Sequence, residues 1–584
     1  MTVEKLIVDH IDTWTTALQT RSTAGRCSSG KIDLYGIKKL RELILELAVR
    51  GKLVPQDPND EPASELLKHI AAEKAELVKQ GKIKKPKPLP EISEEEKPFE
   101  LPVGWEWVRL GEISDAVTGN AFKTSEYSDE GTFILRVTNI NQDGSINLTD
   151  SKFIPHNIAE NKYSNFSLVE GDILLVMVGG SLGKIGIVDS KCLPALLNQN
   201  MWKMVNTRSI RNGFFIFGLK FINANQLNIT HSTHGHLAQG DYLSKCFPLA
   251  PKDEQTRIIN KVNVLMSLCD QLEQHSLTSL DAHQQLVETL LTTLTDSQNA
   301  DELAENWARI SEHFDTLFTT EASIDALKQT ILQLAVMGKL VPQDPNDEPA
   351  SELLKRIAQE KAQLVKDGKM KKQKPLPPIS DEEKPFVTPN NWEWVRFGEI
   401  GEIKGGGTPS KNNSEFWEGD IPWVSPKDMK VDYISKSELS ISQGALQNSS
   451  VTLISEESLL FVVRGMILAH TFPVAIAKKE VTINQDMKAI STDLYHPDFL
   501  IKMMQACSTR VLSLVDRSSH GTCKLVSDKL FSLVLPLPPL KEQLRISSEV
   551  DSFINNCEKL KHIIKETQQT QLHLADALTD AAIN

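Results

Sequence analysis

Gly51 to Lys68 reads GKLVPQDPNDEPASELLK, and the same eighteen residues return letter for letter as Gly338 to Lys355. The match extends without a gap at an offset of 287, from Leu40–Ile113 against Leu327–Ile400. A solenoid unit repeats every 20 to 50 residues or so, and this period is far longer. The chain is therefore a duplicated domain pair, giving one polypeptide the pseudo-twofold design that a homodimer reaches with two chains.

Each copy has the same order of parts. Leu40, Leu43, Ile44 and Leu47 recur at helical spacing, and Gly51 ends the run as a C-terminal glycine does. Pro55, Pro58 and Pro62 forbid a regular element, and Ala63-Ser64-Glu65 opens a second helix predicted to reach about Lys79. Lys82 to Pro90, KIKKPKPLP, is an extended basic connector, with KKQKPLPP as its counterpart in the second copy. Trp-Glu-Trp-Val-Arg follows at Trp105–Arg109 and Trp392–Arg396. Beyond it the helical period gives way to short β-rich runs such as Thr132 to Val137, Asp172 to Val178 and Lys184 to Val188.

Each globular segment hands over to a long helix. Ile258, Val262, Leu265, Cys269 and Leu272 alternate steps of four and three, the seam of a coiled coil. Ile546, Val550, Phe553, Cys557, Leu560 and Ile564 repeat that seam. Two seams at matching places are expected to pair, each supplying the apolar stripe that the other buries. The fold class predicted is α/β (α+β): two globular domains separated by long coiled-coil helices. The expected boundaries are a helical region with the first frame repeat at 1–100 and a first globular domain at 101–255. A central helix, linker and second frame repeat occupy 256–389, a second globular domain 390–543, and a C-terminal helix 544–584. Asp301 to Ser323 links the halves. The globular domains align only at scattered pairs, Asn198-Gln199 with Asn484-Gln485 and His234-Gly235 with His520-Gly521. The frames are matched and the domains they carry differ.

At 584 residues the chain suits three or four domains, and 40% hydrophobic with 24% charged residues is ordinary for a packed soluble protein. No apolar run nears the roughly 18 residues that span a membrane, and the N-terminus has no signal-peptide layout, so a cytoplasmic location is expected. Seven cysteines without a CxxC pair argue for inert thiols over disulfides or zinc. The net charge of −13 is unlike a basic nucleic-acid binder. The two globular segments are close to charge-balanced, however, and much of the acidity lies in stretches such as Glu91–Glu100 and Thr295–Glu321. A DNA surface requires charge segregated by face.

The repeated frame, the openings Trp105–Ile113 and Trp392–Ile400, Gly407-Thr408-Pro409-Ser410 with Ile421-Pro422-Trp423-Val424, and Leu535 to Ile546, LPLPPLKEQLRI, resemble as a set the DNA-specificity subunit of type I restriction-modification systems. The large repeats resemble the branch with an extended N-terminal region. The resemblance implies two target-recognition domains, each reading one half of an asymmetric, interrupted DNA site. It implies long antiparallel helices that space the domains and dock two methyltransferase subunits, with restriction/translocase subunits joining them. S-adenosylmethionine, ATP and Mg would serve those partners, and no cofactor or metal would be bound by this subunit.

The residues agree with a non-catalytic role. Asp57-Pro58-Asn59 lacks the second proline and aromatic of an adenine-methylation motif. Gly179-Gly180-Ser181-Leu182-Gly183-Lys184 is one residue short of a phosphate loop and is followed by Ile185 instead of Ser/Thr, so a strand-turn-strand is expected there. His231, His234 and His236 have no cysteine or acid to complete a metal site. DNA-facing candidates in the first domain are Thr118, Asn120, Lys123, Arg136, Asn139, Asn141, His234, His236 and Gln239. In the second they are Lys404, Thr408, Ser410, Lys411, Asn412, Lys427, Arg464, His520, Thr522 and Lys524. These types suit bidentate readout of base edges and contact with phosphate. The rival class is a pseudo-symmetric scaffold that joins two identical partners without DNA.

Overall fold

The computed structural model describes residues 3–21, 31–80, 88–227, 237–366, 376–517 and 523–583. The chain divides into two compact units. The first gathers Met1–Gln19, Ile32–Ser276 and Thr570–Asn584; the second gathers Thr20–Lys31 and Leu277–Gln569. Each unit takes its main body from one repeat and part of its long-helix content from the other. Among the described residues no helix is long and apolar enough to cross a membrane.

The first frame repeat forms the helices Tyr35–Val49 and Ala63–Lys79, and the second forms Glu321–Val336 and Ala350–Lys366. The periodic leucines and isoleucines of Tyr35–Val49 are buried. Gly51 and Gly338 follow at φ +68° and +71°, so the chain leaves each helix through a left-handed residue that favours glycine. The long helices run Lys252–Asp296 and Leu540–Ile583. Between the halves, the link forms the helices Ala300–Glu312 and Phe314–Leu317. Most of the basic connector, 82–87 and 371–375, lies outside the described residues.

The structure corrects the pairing of the seams: the two stretches fall in different compact units, and each is buried within its own unit instead of by the other. In the second unit Ile546, Val550 and Cys557 are buried in one cluster with Ile324, Leu327 and Ile331 of the frame helix and with Val287, Leu291 and Leu294 from the far end of the first long helix. Phe553, Leu560 and Ile564 pack against that cluster. The end of one long helix thus meets the start of the other, the expected antiparallel sense. Its Ile546–Ile564 stripe is shared with the frame helix, which helical periodicity alone does not reveal. In the first unit Ile258, Val262, Leu265 and Cys269 are buried, while Leu272 is half-buried. The frame helix reaches the same helix through Arg41, whose Nη2 lies 2.7 Å from Asp270 and 2.8 Å from Glu273.

Each recognition domain is built on two sheets. In the first, one sheet runs Phe153–Ile154, Thr132–Leu135, Ala195–Leu197, Ser167–Leu168, and the other Ser114–Thr118, Met201–Asn206, Ile173–Val176, Ile185–Ile187. In the second, Leu439–Ile441, Ile421–Val424, Val481–Ile483 and Leu453–Ile454 form one sheet. Glu402–Gly405, Met487–Ser491, Leu459–Val462, Val474–Ala477 and Tyr433–Ile434 form the other. The turn Asn198–Asn200 joins a strand of one sheet to a strand of the next, and Asn484–Asp486 does the same in the second domain. The paired Asn-Gln dipeptides therefore stand where the two sheets meet. The described cysteines are free and buried, and burial pushes the Cys269 thiol up to about 11.

Candidate nucleic-acid interface

Two sets of contacts recur in both units and do different work, one made by side chains and the other by the main chain. One ties each recognition domain to its frame. Trp105 Nε1 donates to Glu254 Oε2 at 3.0 Å, and Trp392 Nε1 donates to Glu542 Oε2 at the same distance. Both glutamates are buried, and desolvation raises each above the usual carboxylate range. Three residues on, Arg257 grips Asp60 at 2.6 Å and Arg545 grips Asp347 at 2.6 Å. Arg109, nearly buried, donates to the carbonyls of Pro90, Glu91 and Ser244 and to Glu96. Arg396 repeats the knot with Pro377, Pro378, Ser532 and Glu383. The guanidinium holds Glu96 and Glu383 down at about 2. Lys52 Nζ donates to the Ile583 carbonyl at 2.5 Å, while Lys339 Nζ donates to those of Thr295 and Ser297 at 2.6 and 2.8 Å. Each identical block thus caps the end of the long helix that belongs to the other repeat. None of these roles is visible in a single copy; their repetition at both places is the signal that finds them.

The other set converges on the Asn-Gln turn. In the first domain Asn120 bridges Asn198, the Asn198 amide donates to Leu135, and the Met177 amide donates to Asn200. Leu237 then donates to Met177, bringing the edge of the histidine loop alongside. In the second domain Gly407 donates to Ile483, Asn484 to Val424, Val463 to Asp486, and Leu525 to Val463. The same loops thus meet at one pole of each domain, on the same backbone pattern. A Cβ on Gly119 would sit 2.1 Å from the Asn198 carbonyl oxygen, and one on Gly406 1.9 Å from that of Asn484, so glycine is needed for this approach.

The sequence matches the model of the type I restriction modification DNA specificity domain twice, at residues 102–282 and 389–569. It is 50% identical to the type I restriction enzyme EcoAI specificity subunit of Escherichia coli, with all of both chains covered. The chain belongs to the type I restriction-modification specificity subunit family. The EcoEI specificity subunit of Escherichia coli is 48% identical, again over all of both chains. A solved HsdS subunit from Thermoanaerobacter tengcongensis is 18% identical with a TM-score of 0.39, covering 84% of this chain and 98% of that one. A specificity subunit is the non-catalytic member of such a system.

On this specificity subunit the candidate residues fall into three groups. Thr118, Lys123 and Asn141 are exposed in the first domain, as are Ser410, Lys411, Asn412, Lys427, Arg464 and Lys524 in the second, with Asn141 donating to Ser145 Oγ at 2.9 Å and Arg464 pairing with Asp486 at 3.7 Å. A second group is part-committed. Arg136 reaches Asp150 at 3.1 Å, Gln239 donates to Ala116 at 2.6 Å and Asn120 to Ala121 at 3.1 Å. Lys404 pairs with Glu402 at 3.6 Å, and Thr408 donates to Gln485. Asn139 stands apart: it is fully buried, its amide donates to Asn147 and Thr149, and it braces a loop. His231, His234, His236, His520 and Thr522 lie outside the described residues. Among those described, no group of three His, Cys, Asp or Glu could hold a metal ion. The glycine-rich Gly179–Lys184 is a turn between the antiparallel strands Ile173–Val176 and Ile185–Ile187, with Lys184 Nζ donated to Ile140 at 2.8 Å. That lysine is spent on the fold, as a strand-turn-strand requires.

Proposed function

We propose that this chain is the DNA-reading subunit of a type I restriction-modification complex, with the recognition domains 101–255 and 390–543 each reading one half of a bipartite, asymmetric site. The observation that carries the reading is the contrast between matched frames and differing poles. Side chains around Asn198-Gln199 and Asn484-Gln485 hang on one backbone pattern yet present different groups, Thr118, Lys123 and Asn141 against Ser410, Lys411, Lys427, Arg464 and Lys524. Phosphate contacts would position each domain, and base contacts in the major groove would specify.

The long helices act as the spacer, and two methyltransferase subunits dock on the frames. Gly51, Lys52 and Asp60 are used inside the chain, whereas Pro55, Pro58, Glu61, Pro62 and Lys68 are exposed in both copies. Those exposed residues are the docking candidates. S-adenosylmethionine serves the methyltransferases, and ATP and Mg the restriction subunits, in the cytoplasm where the DNA lies.

The test has two parts. Methylome sequencing of a host expressing the system gives the site, and exchanging Leu101–Gln255 for a relative's domain should change one half of it alone. A gel shift of the chain with its methyltransferase, run across a salt series, should show site-specific retention that weakens with salt. Absence of specific retention at every salt concentration would return the protein to the scaffold class.

A further inference from the structure

The second recognition domain carries an exposed apolar tip that its counterpart lacks. After strand Leu459–Val462 the chain turns through Arg464-Gly465-Met466-Ile467 into a short 3-10 turn, Met466–Ala469. Met466 is 62% and Ile467 38% exposed, while Leu468 is buried at 1% and anchors the turn. Gly465 sits at φ +138°, ψ +159°, a region essentially restricted to glycine. A Cβ there would meet only Ile467 Cγ2 at 3.9 Å, so glycine is required by conformation and not by space. The base is pinned from both sides: the Gly465 amide donates to Cys523, and Arg464 bridges Lys524. The corresponding turn of the first domain, after strand Ile173–Val176, is Gly179-Gly180-Ser181, and the first two of these face open space.

Two large apolar side chains held out on a rigid base offer an apolar partner a fixed point of contact. The surroundings say which. Arg464 and Lys524 flank the tip and are exposed, Arg464 pairing with Asp486 at 3.7 Å, and Arg517, also exposed, donates to the Ala469 carbonyl at 3.2 Å. Three cations around an apolar point suit a polyanion whose interior is apolar and stacked, which describes duplex DNA. The tip also adjoins the Asn484–Asp486 turn, since the Arg464 amide donates to Asp486.

We infer that Met466 and Ile467 form a wedge that enters between base pairs of the half-site read by the second domain, partly unstacking one step. The first domain, with glycines there, leaves its half-site stacked. This rests on the DNA-reading function above. Specificity at the wedged step then comes from how easily that step opens, with pyrimidine-purine steps favoured.

The test uses the full chain assembled with its methyltransferase subunits and a duplex carrying the methylome-defined site, with 2-aminopurine replacing adenines one at a time across both halves. Apart from the target adenine that each methyltransferase extrudes from the stack, fluorescence should rise on binding at a position in one half only. Met466→Ser with Ile467→Ser should abolish that rise and weaken binding by about tenfold or more, whereas Met466→Leu should preserve both. Both side chains are exposed, so the double variant should keep its unfolding profile. Specific binding with no fluorescence change outside the target adenines, or with such a change that survives the double substitution, overturns the wedge and leaves the DNA reading standing. Loss of methyltransferase binding by the double variant without DNA overturns it too, and makes the tip a protein contact. No specific binding by the unsubstituted chain overturns the underlying function instead.

Discussion

Gly51→Ala and Gly338→Ala test whether the identical block is held by folding as well as by docking. At φ +68° and +71° an alanine would sit in the left-handed region, at about 1 to 2 kcal/mol. Space adds a second cost. The new Cβ would lie 2.5 Å from Pro102 Cγ and 3.0 Å from Trp105 Cζ2 at the first site. At the second it would lie 2.6 Å from Pro389 Cγ and 3.1 Å from Trp392 Cζ2. Such overpacking costs about 1 to 3 kcal/mol, giving roughly 2 to 5 kcal/mol in all. The two glycines belong to different compact units, so each variant should lower one calorimetric transition of the full chain and spare the other. For units of this size the drop is about 3 to 8 °C. Asparagine tolerates the left-handed region but also carries a Cβ, so Gly51→Asn separates the two costs: it should be milder than alanine yet still destabilising. If neither alanine variant moves a transition by more than about 1 °C, the glycines are not fixed by the turn and the reasoning fails.

Three further outcomes are expected. Glu96 and Glu383 are held near 2, below the ordinary glutamate value of 4.5, so their stabilising effect is present above pH 4.5 and is lost as pH falls towards 2. A denaturant-midpoint series across that window should be flatter for Glu96→Gln with Glu383→Gln than for the unsubstituted chain. Glu254 and Glu542 are shifted the other way, so the folded state holds their protons longer and stability falls as pH rises through their raised values. Glu254→Gln with Glu542→Gln should remove that fall while keeping the acceptor for each tryptophan. Lys52→Met frees one helix-end carbonyl and Lys339→Met two, and each should cost about 0.5 to 2 kcal/mol by chemical denaturation, in opposite units.

The helical frame was largely legible in the residues. Leucine periodicity and the Gly51 stop place the first frame helix, and Ala63 to Lys79 forms as read. The recognition-domain strands Thr132–Leu135, Ile173–Val176 and Ile185–Ile187 fall inside the runs expected for them. Long-range pairing was not legible. Glu106–Arg109 pairs antiparallel with Cys246–Leu249, and Glu393–Arg396 with Val534–Leu537, across the whole of each domain. Four-residue strands carry too little pattern to announce a partner that distant. The candidate site was partly legible, because polar residues in loops point to a surface. Asn139 shows the limit: an asparagine that braces a loop and one that faces solvent look alike until the backbone is placed. Arg109 and Glu254 were missed as joints for the same reason, although their doubling marked them out.

The first unit takes Thr570–Asn584 from the far side of the chain, with Lys52 capping Ile583 and Tyr35 bonded to Asp576 at 2.8 Å. That arrangement makes synthesis order matter. At about 5 to 20 residues per second, the ribosome needs roughly 15 to 60 s to travel from Ser276 to Thr570. During that interval the first recognition domain waits beside a frame whose closing helix does not yet exist. A chain broken off early therefore leaves its own first half unfinished.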